Sequence, residues 1–498
     1  MTRRVRTRFA PSPTGMMHVG GIRTALYSYL YAKQNGGDFL LRIEDTDRSR
    51  YVEGSVDDII NSLQTLGIIN DEGPYLDGGV IKQRGPQASY YQSQRLEIYK
   101  KYVQILLDKG LAYYSFVSDA ELEAIKADLA EKHKPLKRKH LRENYTPQEV
   151  NTKLVQGEKH VIRLALPESG KVTFTDMVRG DITYDYAEVD DQVLIKSDGF
   201  PTYHLAAVVD DIEMEISHVF RGEEWISSTP KHVFLYQAFE KVPPTYAHVS
   251  LLLNPDRTKL SKRQGDVATS DYLKKGYLPA ALLNFIALLG WNPGAGSTQE
   301  IFSLDELLKV FDVGHIHKAG AVFDQTKLLW MNEVYLREKM SIDEVYALIG
   351  QTIVRHISGE RPDITSDQDK LKYITKLIRE RISILSQVDE WFAENQWIFV
   401  TGGYSRAQLP WKKSTPEATR AILSELIEFI DTLQNWEVSA LESDIKGFIS
   451  QKGYGVGDVL WPMRLALTGQ DKSPNPFEVA YILGKTETLK RLRSALEL

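Results

Sequence analysis

The sequence predicts an α/β protein in which a parallel sheet is interrupted by an inserted α+β domain and followed by an all-helical C-terminal third. Three observations carry this expectation. Strand and helix periods alternate from Val5 to Leu66, charged and strand-like stretches break that alternation between residues 91 and 199, and helical periods alone run from Lys327 onward.

The first strand is expected over Val5–Ala10, followed by turn formers from Pro11 to Met17 and a helix over Gly21–Gln34 with apolar Ile22, Leu26, Tyr29 and Leu30 on one side. A strand, a glycine-bearing loop and a helix make an arrangement suited to phosphate, because the helix start offers unpaired N–H groups and the positive end of the dipole. A second strand is expected over Phe39–Ile43, and a helix over Ser55–Leu66 with Val56, Ile59, Ile60 and Leu63 on one face. Leu96, Tyr99, Val103 and Leu106 give a helical period to Tyr90–Leu107. The insertion then begins: the chain turns irregular from Tyr113, carries a dense positive run over Lys132–Arg142, and alternates like strands over His160–Ile195 with breaks at Gly170 and Gly180.

The sheet is expected to resume near Thr202. Leu205–Val209 and His218–Phe220 read as core segments of either strand or helix, and Val249–Leu253 leads to a lysine-bearing loop. Pro279–Leu289 is a strongly apolar helix. Arg361-Pro362-Asp363 and Gly402-Gly403 are the plainest linker signals, and no repeat or low-complexity tract interrupts the chain.

A chain of 498 residues is too long for one ordinary core, and 42% hydrophobic residues suffice to fill several. The absence of cysteine excludes disulfides, thiolate zinc sites and cysteine nucleophiles, so chemistry must run on His, Lys, Arg, carboxylates or hydroxyls. No run approaches the ~18 apolar residues of a membrane span. Met1–Arg8 is arginine-rich but leads into the first strand without the apolar region of a signal peptide, so a cytoplasmic protein is expected. A net charge of −6 argues against indiscriminate coating of nucleic acid while permitting a segregated basic face.

Two clusters carry chemistry. In His18-Val19-Gly20-Gly21 the imidazole can donate to phosphoryl oxygens, and the glycines let backbone approach a nucleotide. Lys259 and Lys262 lie among Asn254, Pro255, Asp256, Ser261 and Gly265, a composition that reads as a mobile loop whose ammonium groups can swing onto β- and γ-phosphates. Either cluster alone is commonly a turn or a solvated patch; their co-occurrence points to nucleotide chemistry.

Arg8-Phe9-Ala10-Pro11-Ser12-Pro13-Thr14-Gly15, followed by His18-Val19-Gly20-Gly21, resembles the opening signature of bacterial-type glutamyl-tRNA synthetases, which are class I aminoacyl-tRNA synthetases. Further matches follow in order: Arg42-Ile43-Glu44-Asp45-Thr46-Asp47, Tyr91-Gln92-Ser93 with Arg95, Arg179-Gly180-Asp181, and Thr202-Tyr203-His204-Leu205 through Asp210-Asp211. Phe220-Arg221-Gly222-Glu223-Glu224-Trp225, Ser227–Pro230 and Lys259-Leu260-Ser261-Lys262-Arg263 continue the likeness. Gly320–Asp324, Trp330-Met331-Asn332, Leu460-Trp461-Pro462 and Leu467-Thr468-Gly469 extend it to the C-terminal end.

The resemblance implies a split Rossmann-type catalytic domain (1–90 and 200–258), an inserted acceptor-stem-binding domain (91–199), a connecting helical domain with the lysine loop (259–335) and a helical anticodon-binding region (336–498). It implies that Arg8, Ser12, Glu44, Tyr203, Arg221 and Trp225 hold glutamate. ATP would meet His18, Gly20, Gly21, Lys259, Ser261 and Lys262, of which His18, Lys259 and Lys262 act in catalysis. Arg379 and Arg381 resemble the segment that reads anticodon bases, and Lys132–Arg142 is a candidate acceptor-side contact. The partners implied are L-glutamate, ATP with Mg²⁺ and tRNA(Glu), for a monomeric enzyme away from membranes. Physical chemistry agrees for Arg221, since a planar guanidinium meets a side-chain carboxylate with two parallel hydrogen bonds that lysine cannot reproduce. Glu44 is the natural group for the substrate ammonium.

Two positions depart from the family. Some members carry Cys and His zinc ligands after Ala-Tyr-Tyr, where Ser115 and Phe116 stand here, so no zinc is expected; Ala207 stands where relatives often place a polar residue. Gly484-Lys485-Thr486 looks like the end of a P-loop, but Val479 occupies the position of its first glycine. The alternatives are an enzyme that also charges tRNA(Gln) and a catalytically silent tRNA-binding protein.

Overall fold

Strand β1 (Arg6–Phe9) pairs in parallel with β2 (Asp38–Leu41), from Arg6 opposite Asp38 to Phe9 opposite Leu41. Parallel pairing needs a crossover, and α1 (Val19–Gln34) supplies it. Val19, Ile22, Leu26 and Leu30 on its inner face are 0% exposed, each burial worth about 1.5–3 kcal/mol, which seats the helix start beside the end of β1. The computed structural model describes residues 4–141, 143, 145–260, 268–400 and 402–498. The chain forms two units: Met1–Lys274 with Pro279–Leu328, and Lys275–Leu278 with Leu329–Leu498.

In the first unit, α2 (Ser55–Thr65) buries Val56, Ile59, Ile60 and Leu63 as its period predicts. Asp58 in its first turn accepts from the Met17 N–H at 2.6 Å, tying down the loop before α1. Strands β3 (Gly73–Asp77) and β4 (Val80–Arg84) form an antiparallel hairpin. The helix expected from Tyr90 begins only with α3 (Leu96–Asp108), because the backbone of 90–92 is extended and exchanges hydrogen bonds with Ile43 at 2.9 and 3.0 Å.

The insertion contains β5 (Ala112–Ser115), α4 (Asp119–Glu131), α5 (Arg138–Leu141), α6 (Pro147–Val155), β6 (Val161–Leu164), β7 (Lys171–Asp176), β8 (Gly180–Asp185) and β9 (Val193–Ile195). Capping boxes Ser118/Glu121 and Thr146/Glu149 start α4 and α6. Strands β5, β6 and β9 make an antiparallel sheet of their own. The β7–β8 hairpin instead joins the main sheet in the order β10-β11-β7-β8, with Tyr246 paired to Asp176.

Near Thr202 the chain resumes as a helix rather than a strand: α7 (Tyr203–Glu213) has Leu205–Asp211 buried throughout, a helix apolar all round that sequence periodicity cannot distinguish from strand. Strand β10 (His218–Gly222), α8 (Thr229–Ala238) and β11 (Thr245–Val249) complete the parallel unit, with β10 and β11 in register from His218–Thr245 to Gly222–Val249. Ser217 accepts from the Arg6 N–H at 2.7 Å and its own N–H donates to the Arg6 carbonyl at 2.9 Å, bringing β1 beside β10. Strand β12 (Leu252–Leu253) follows, then α9 (Thr269–Lys274), α10 (Pro279–Ala287), α11 (Leu304–Val310), β13 (Ala321–Val322), parallel to β12, and α12 (Gln325–Val334).

Beyond residue 329 every described element is helical: α13 (Ile342–Ile357), α14 (Pro362–Thr365), α15 (Gln368–Arg379), α16 (Val388–Glu394), α17 (Pro416–Thr432), α18 (Val438–Lys452), α19 (Val456–Thr468), α20 (Pro476–Leu483) and α21 (Lys485–Leu496), with short 3₁₀ and π turns between. The Arg361-Pro362-Asp363 signal is a helix start, not a linker. Pro362 opens α14, and Arg361 donates to the carbonyls of Ile398 and Leu483 at 2.9 and 3.1 Å. No described helix is long and apolar enough to cross a membrane.

Candidate active site

The carboxyl ends of β1, β10 and β11 open onto a cavity of about 610 Å³, the place where open parallel sheets bind ligands. Arg8, Ser12, His18, Gly20, Gly21, Glu44, Tyr203, Arg221, Trp225 and Lys259 all line it. These residues come from six separate stretches of sequence. Ser261 and Lys262 lie outside the described residues.

One end of the cavity is a set of buried charges. Arg8 Nε donates to Asp211 at 3.2 Å, and Arg42 donates to Asp211 at 2.7 Å and to Glu44 at 3.1 Å. Arg95 pairs with Asp210 at 2.7 Å, and Gln92 and Tyr99 donate to the same carboxylate. The Asp210-Asp211 pair on α7 therefore anchors Arg8, which lines the cavity, together with Arg42 and Arg95. Burial opposes ionisation of Asp211, but Arg8 and Arg42 hold its carboxyl below the usual range. Glu44 differs: burial pushes its carboxyl up to about 7 against the pull of Arg42 and Arg8. A ligand ammonium beside it would restore the ionised form.

Arg221, at the end of β10, is 6% exposed. Its Nε donates to His248 at 3.0 Å, and its two terminal nitrogens donate to His232 at 3.0 Å and to Thr229 at 2.7 Å. Among the described residues no carboxylate hydrogen-bonds it. Tyr203 and Trp225 stand over this end with ring centroids 4.2 Å apart. Trp225 lies on a 3₁₀ turn, Glu223–Ser228, and both rings are half-buried, so they wall the cavity rather than fill a core.

The other end is more open. His18 caps α1, its Nδ1 accepting from the Gly21 N–H at 3.2 Å, which puts the neutral ring's proton on Nε2. The glycines serve this placement: a Cβ at Gly20 would stand 3.1 Å from the His18 ring, and one at Gly21 would stand 2.8 Å from the Met17 side chain. The lysine stretch is not loose up to Leu260. Asn254 N–H donates to the Thr258 carbonyl at 2.8 Å and Leu260 N–H to the Leu252 carbonyl at 2.9 Å, so Lys259 sits on the return arm of a hairpin.

Sequence reasoning did not single out Arg23 or Glu224, which also line the cavity. Arg23 is buried on the apolar face of α1 and donates to the carbonyls of Leu289, at 3.0 Å, and Ser250. A charged residue beside Ile22 on an apolar face was the available signal. Glu224 folds back over Gly222, where a Cβ would fall 2.2 Å from its carboxylate and turn that exposed side chain aside. Ala207 is buried and does not reach the cavity.

The expected RNA contacts have mixed placements. In the Lys132–Arg142 run, Lys132 pairs with Asp128 at 2.6 Å, Lys137 is buried 3.6 Å from Asp191, Arg138 covers the Tyr113 ring and Lys139 pairs with Glu168. Partners inside the insertion thus occupy much of that charge; Arg142 lies outside the described residues. In the second unit, Arg379 donates to the Met340 carbonyl at 3.1 Å, whereas Arg381 is exposed on a cavity of about 1490 Å³ that Trp411 and Trp461 also line. Among the described residues no three His, Asp or Glu side chains stand together as metal donors.

Known proteins match this architecture along its length. Residues 4–330 match the family of class I tRNA synthetases (E and Q), catalytic domain, and residues 342–496 match the anticodon binding domain family. A glutamate–tRNA ligase of Chlorobaculum parvum is 43% identical across 99% of this chain and 98% of its own length, and one of Chloroherpeton thalassium shows the same figures. The crystal structure of a glutamate tRNA ligase from Elizabethkingia meningosepticum in complex with its amino acid superposes with a TM-score of 0.86 at 36% identity, covering 99% of both chains. Matched from catalytic cavity to terminal helices, the chain belongs to the glutamate–tRNA ligases, enzymes of the class I aminoacyl-tRNA synthetase family.

Proposed function

We propose that the chain activates L-glutamate with ATP to glutamyl-adenylate and transfers the glutamyl group to the 3′ end of tRNA(Glu). The observation that carries this reading is Arg221, a buried guanidinium with neutral partners only among the described residues, in the cavity that also holds Glu44 and His18. A buried unpaired cation calls for an anionic ligand. Arg221 takes the side-chain carboxylate of glutamate, Glu44 the α-ammonium, and Arg8, Ser12, Tyr203 and Trp225 complete the pocket.

ATP lies along the start of α1, against Gly20 and Gly21, with its phosphates near His18 and Lys259; Ser261 and Lys262 belong to the same reading. An oxygen of the α-carboxylate bonds to the α-phosphorus as the bond to pyrophosphate breaks. His18, through Nε2–H, and the lysines stabilise the charge that builds on the phosphoryl oxygens and the leaving pyrophosphate. A ribose hydroxyl of the terminal adenosine then attacks the acyl carbon and AMP departs, with no covalent enzyme intermediate. Mg²⁺, where bound, neutralises phosphate charge and would be carried mainly by the triphosphate, since the described residues offer no cluster of metal donors.

The finer division into a catalytic domain (1–90 and 200–258), an acceptor-stem domain (91–199), a connecting domain (259–335) and an anticodon-binding region (336–498) belongs to this proposal, with Arg379 and Arg381 on the tRNA side. So do a monomeric state and a cytoplasmic location. Charging of total tRNA with labelled glutamate or glutamine tests the reading. Incorporation of glutamate alone supports it, and incorporation of glutamine or of neither overturns it.

A further inference from the structure

Arg221 has five N–H donors, and the structure accounts for all of them with neutral acceptors. Three contacts are short: His248 Nε2 at 3.0 Å, His232 Nδ1 at 3.0 Å and Thr229 Oγ1 at 2.7 Å. Two are long, to the Tyr203 hydroxyl and the Trp225 carbonyl, both at 3.4 Å. The Tyr246 ring covers the guanidinium carbon at 5.1 Å. Short contacts fix the orientation of the fork, and the long ones are what an incoming carboxylate displaces most easily.

A histidine can serve here only if the nitrogen facing Arg221 is bare; a ring N–H there would oppose a guanidinium N–H. The two rings meet this demand with opposite tautomers. In His248 the Nδ1 proton goes to Asp176 Oδ2 at 2.6 Å, which leaves Nε2 as the acceptor. Asp176 is itself fixed by the N–H groups of Val178 and Arg179 at 2.9 Å each and of His248 at 3.0 Å. In His232 the facing nitrogen is Nδ1, so the proton sits on Nε2, 3.1 Å from His204 Nδ1. Burial, with Arg221 and neighbouring charges, keeps His232 neutral, and burial with Lys231 pushes His204 down to about 3.

We propose that His232 and His248 are positioning residues for selection of the substrate's side-chain carboxylate. Their opposite tautomers, set by His204 and Asp176, hold Arg221 oriented while leaving its charge uncompensated. A carboxylate in either place would give Arg221 a resident anion for the substrate to displace; a neutral acceptor orients without competing. This inference rests on the assignment of Arg221 to the substrate carboxylate.

Amide side chains test it because they imitate the ring nitrogens one at a time, asparagine near Nδ1 and glutamine near Nε2. In tRNA-supported ATP–pyrophosphate exchange by the full chain, His232→Asn and His248→Gln keep an acceptor facing Arg221 and hold the glutamate KM within about threefold. His232→Gln and His248→Asn remove that acceptor and raise the glutamate KM about tenfold to a hundredfold, with the ATP KM unchanged. Equal impairment within each pair, or loss that simply follows the melting temperature, overturns the proposal. ¹⁵N-histidine spectra of the unaltered protein give a check that needs no variant to fold: the proton must lie on Nδ1 of His248 and on Nε2 of His232, and the reverse at either ring overturns it. Arg221→Lys separates the two levels. An unchanged glutamate KM there sinks the Arg221 assignment itself, whereas a raised KM without the crossed pattern sinks only the role of the histidines.

Discussion

The two ends of the catalytic cavity are built on opposite principles. At the Arg221 end the groups that face the proposed ligand are buried and held in place: Arg8 by Asp211, Glu44 by Arg42, and Arg221 by two histidines and a threonine. At the His18 end the groups are exposed, His18 on a helix cap and Lys259 on a hairpin arm. A fixed ligand charge rewards a pre-organised partner, whereas phosphate charge that migrates during reaction is met by side chains able to follow it. Under the proposed function, specificity belongs to the buried end and rate to the open one.

Arg221→Ala should break this contrast most severely. Removing one partner of a buried charge pair costs roughly 2–5 kcal/mol, so glutamate kcat/KM should fall about thirtyfold to several-thousandfold while the ATP KM stays put. Steady-state exchange kinetics with each substrate varied separately check this. A parallel rise in the ATP KM would erase the distinction between the ends.

His18→Ala addresses the open end. Loss of a single donor to a developing oxyanion lowers kcat about a hundredfold to a thousandfold, and the glutamate KM should move little. A changed glutamate KM with unaltered kcat would assign His18 to binding instead.

The pH dependence of glutamate affinity sharpens the comparison further. Burial pushes the Glu44 carboxyl up to about 7, so under the proposed assignment of Glu44 to the substrate ammonium it is neutral below that pH and must release a proton when substrate binds. Glutamate KM should fall about tenfold per pH unit as pH rises toward 7 and level off above it. The ATP KM should not share that inflection, and Glu44→Gln should abolish it. A flat profile for glutamate would show that Arg42 already keeps Glu44 ionised.

Gly20→Ala is the mildest test. Its Cβ would stand 3.1 Å from the His18 ring and tilt it, so kcat should drop only a few-fold with the fold intact by circular dichroism. An effect as large as that of His18→Ala would mean the backbone itself contacts the nucleotide.

Legibility in the sequence differed between the same two ends. Local motifs specify the open end: a strand, a loop and a capped helix put His18 beside Gly20 and Gly21, and period alone located α1 and α2. The buried end is assembled across long separations, Arg8 with Asp211 and Arg221 with His248, which no periodicity reports. Only the family resemblance brought Arg8, Glu44, Tyr203 and Arg221 together in advance. The histidines that hold Arg221 were passed over because a lone His in an apolar stretch carries no sign of its partner. The β7–β8 hairpin shows a second limit: its alternation marked it as strand, but which sheet it joins depends on Tyr246, about seventy residues away.

The most direct test of the account is ATP–pyrophosphate exchange with glutamate and with glutamine, each with and without total tRNA, for the unaltered chain and Arg221→Ala. Exchange is expected to need glutamate and to collapse in the variant. Exchange supported by glutamine, or glutamate-dependent exchange that survives loss of Arg221, would contradict it.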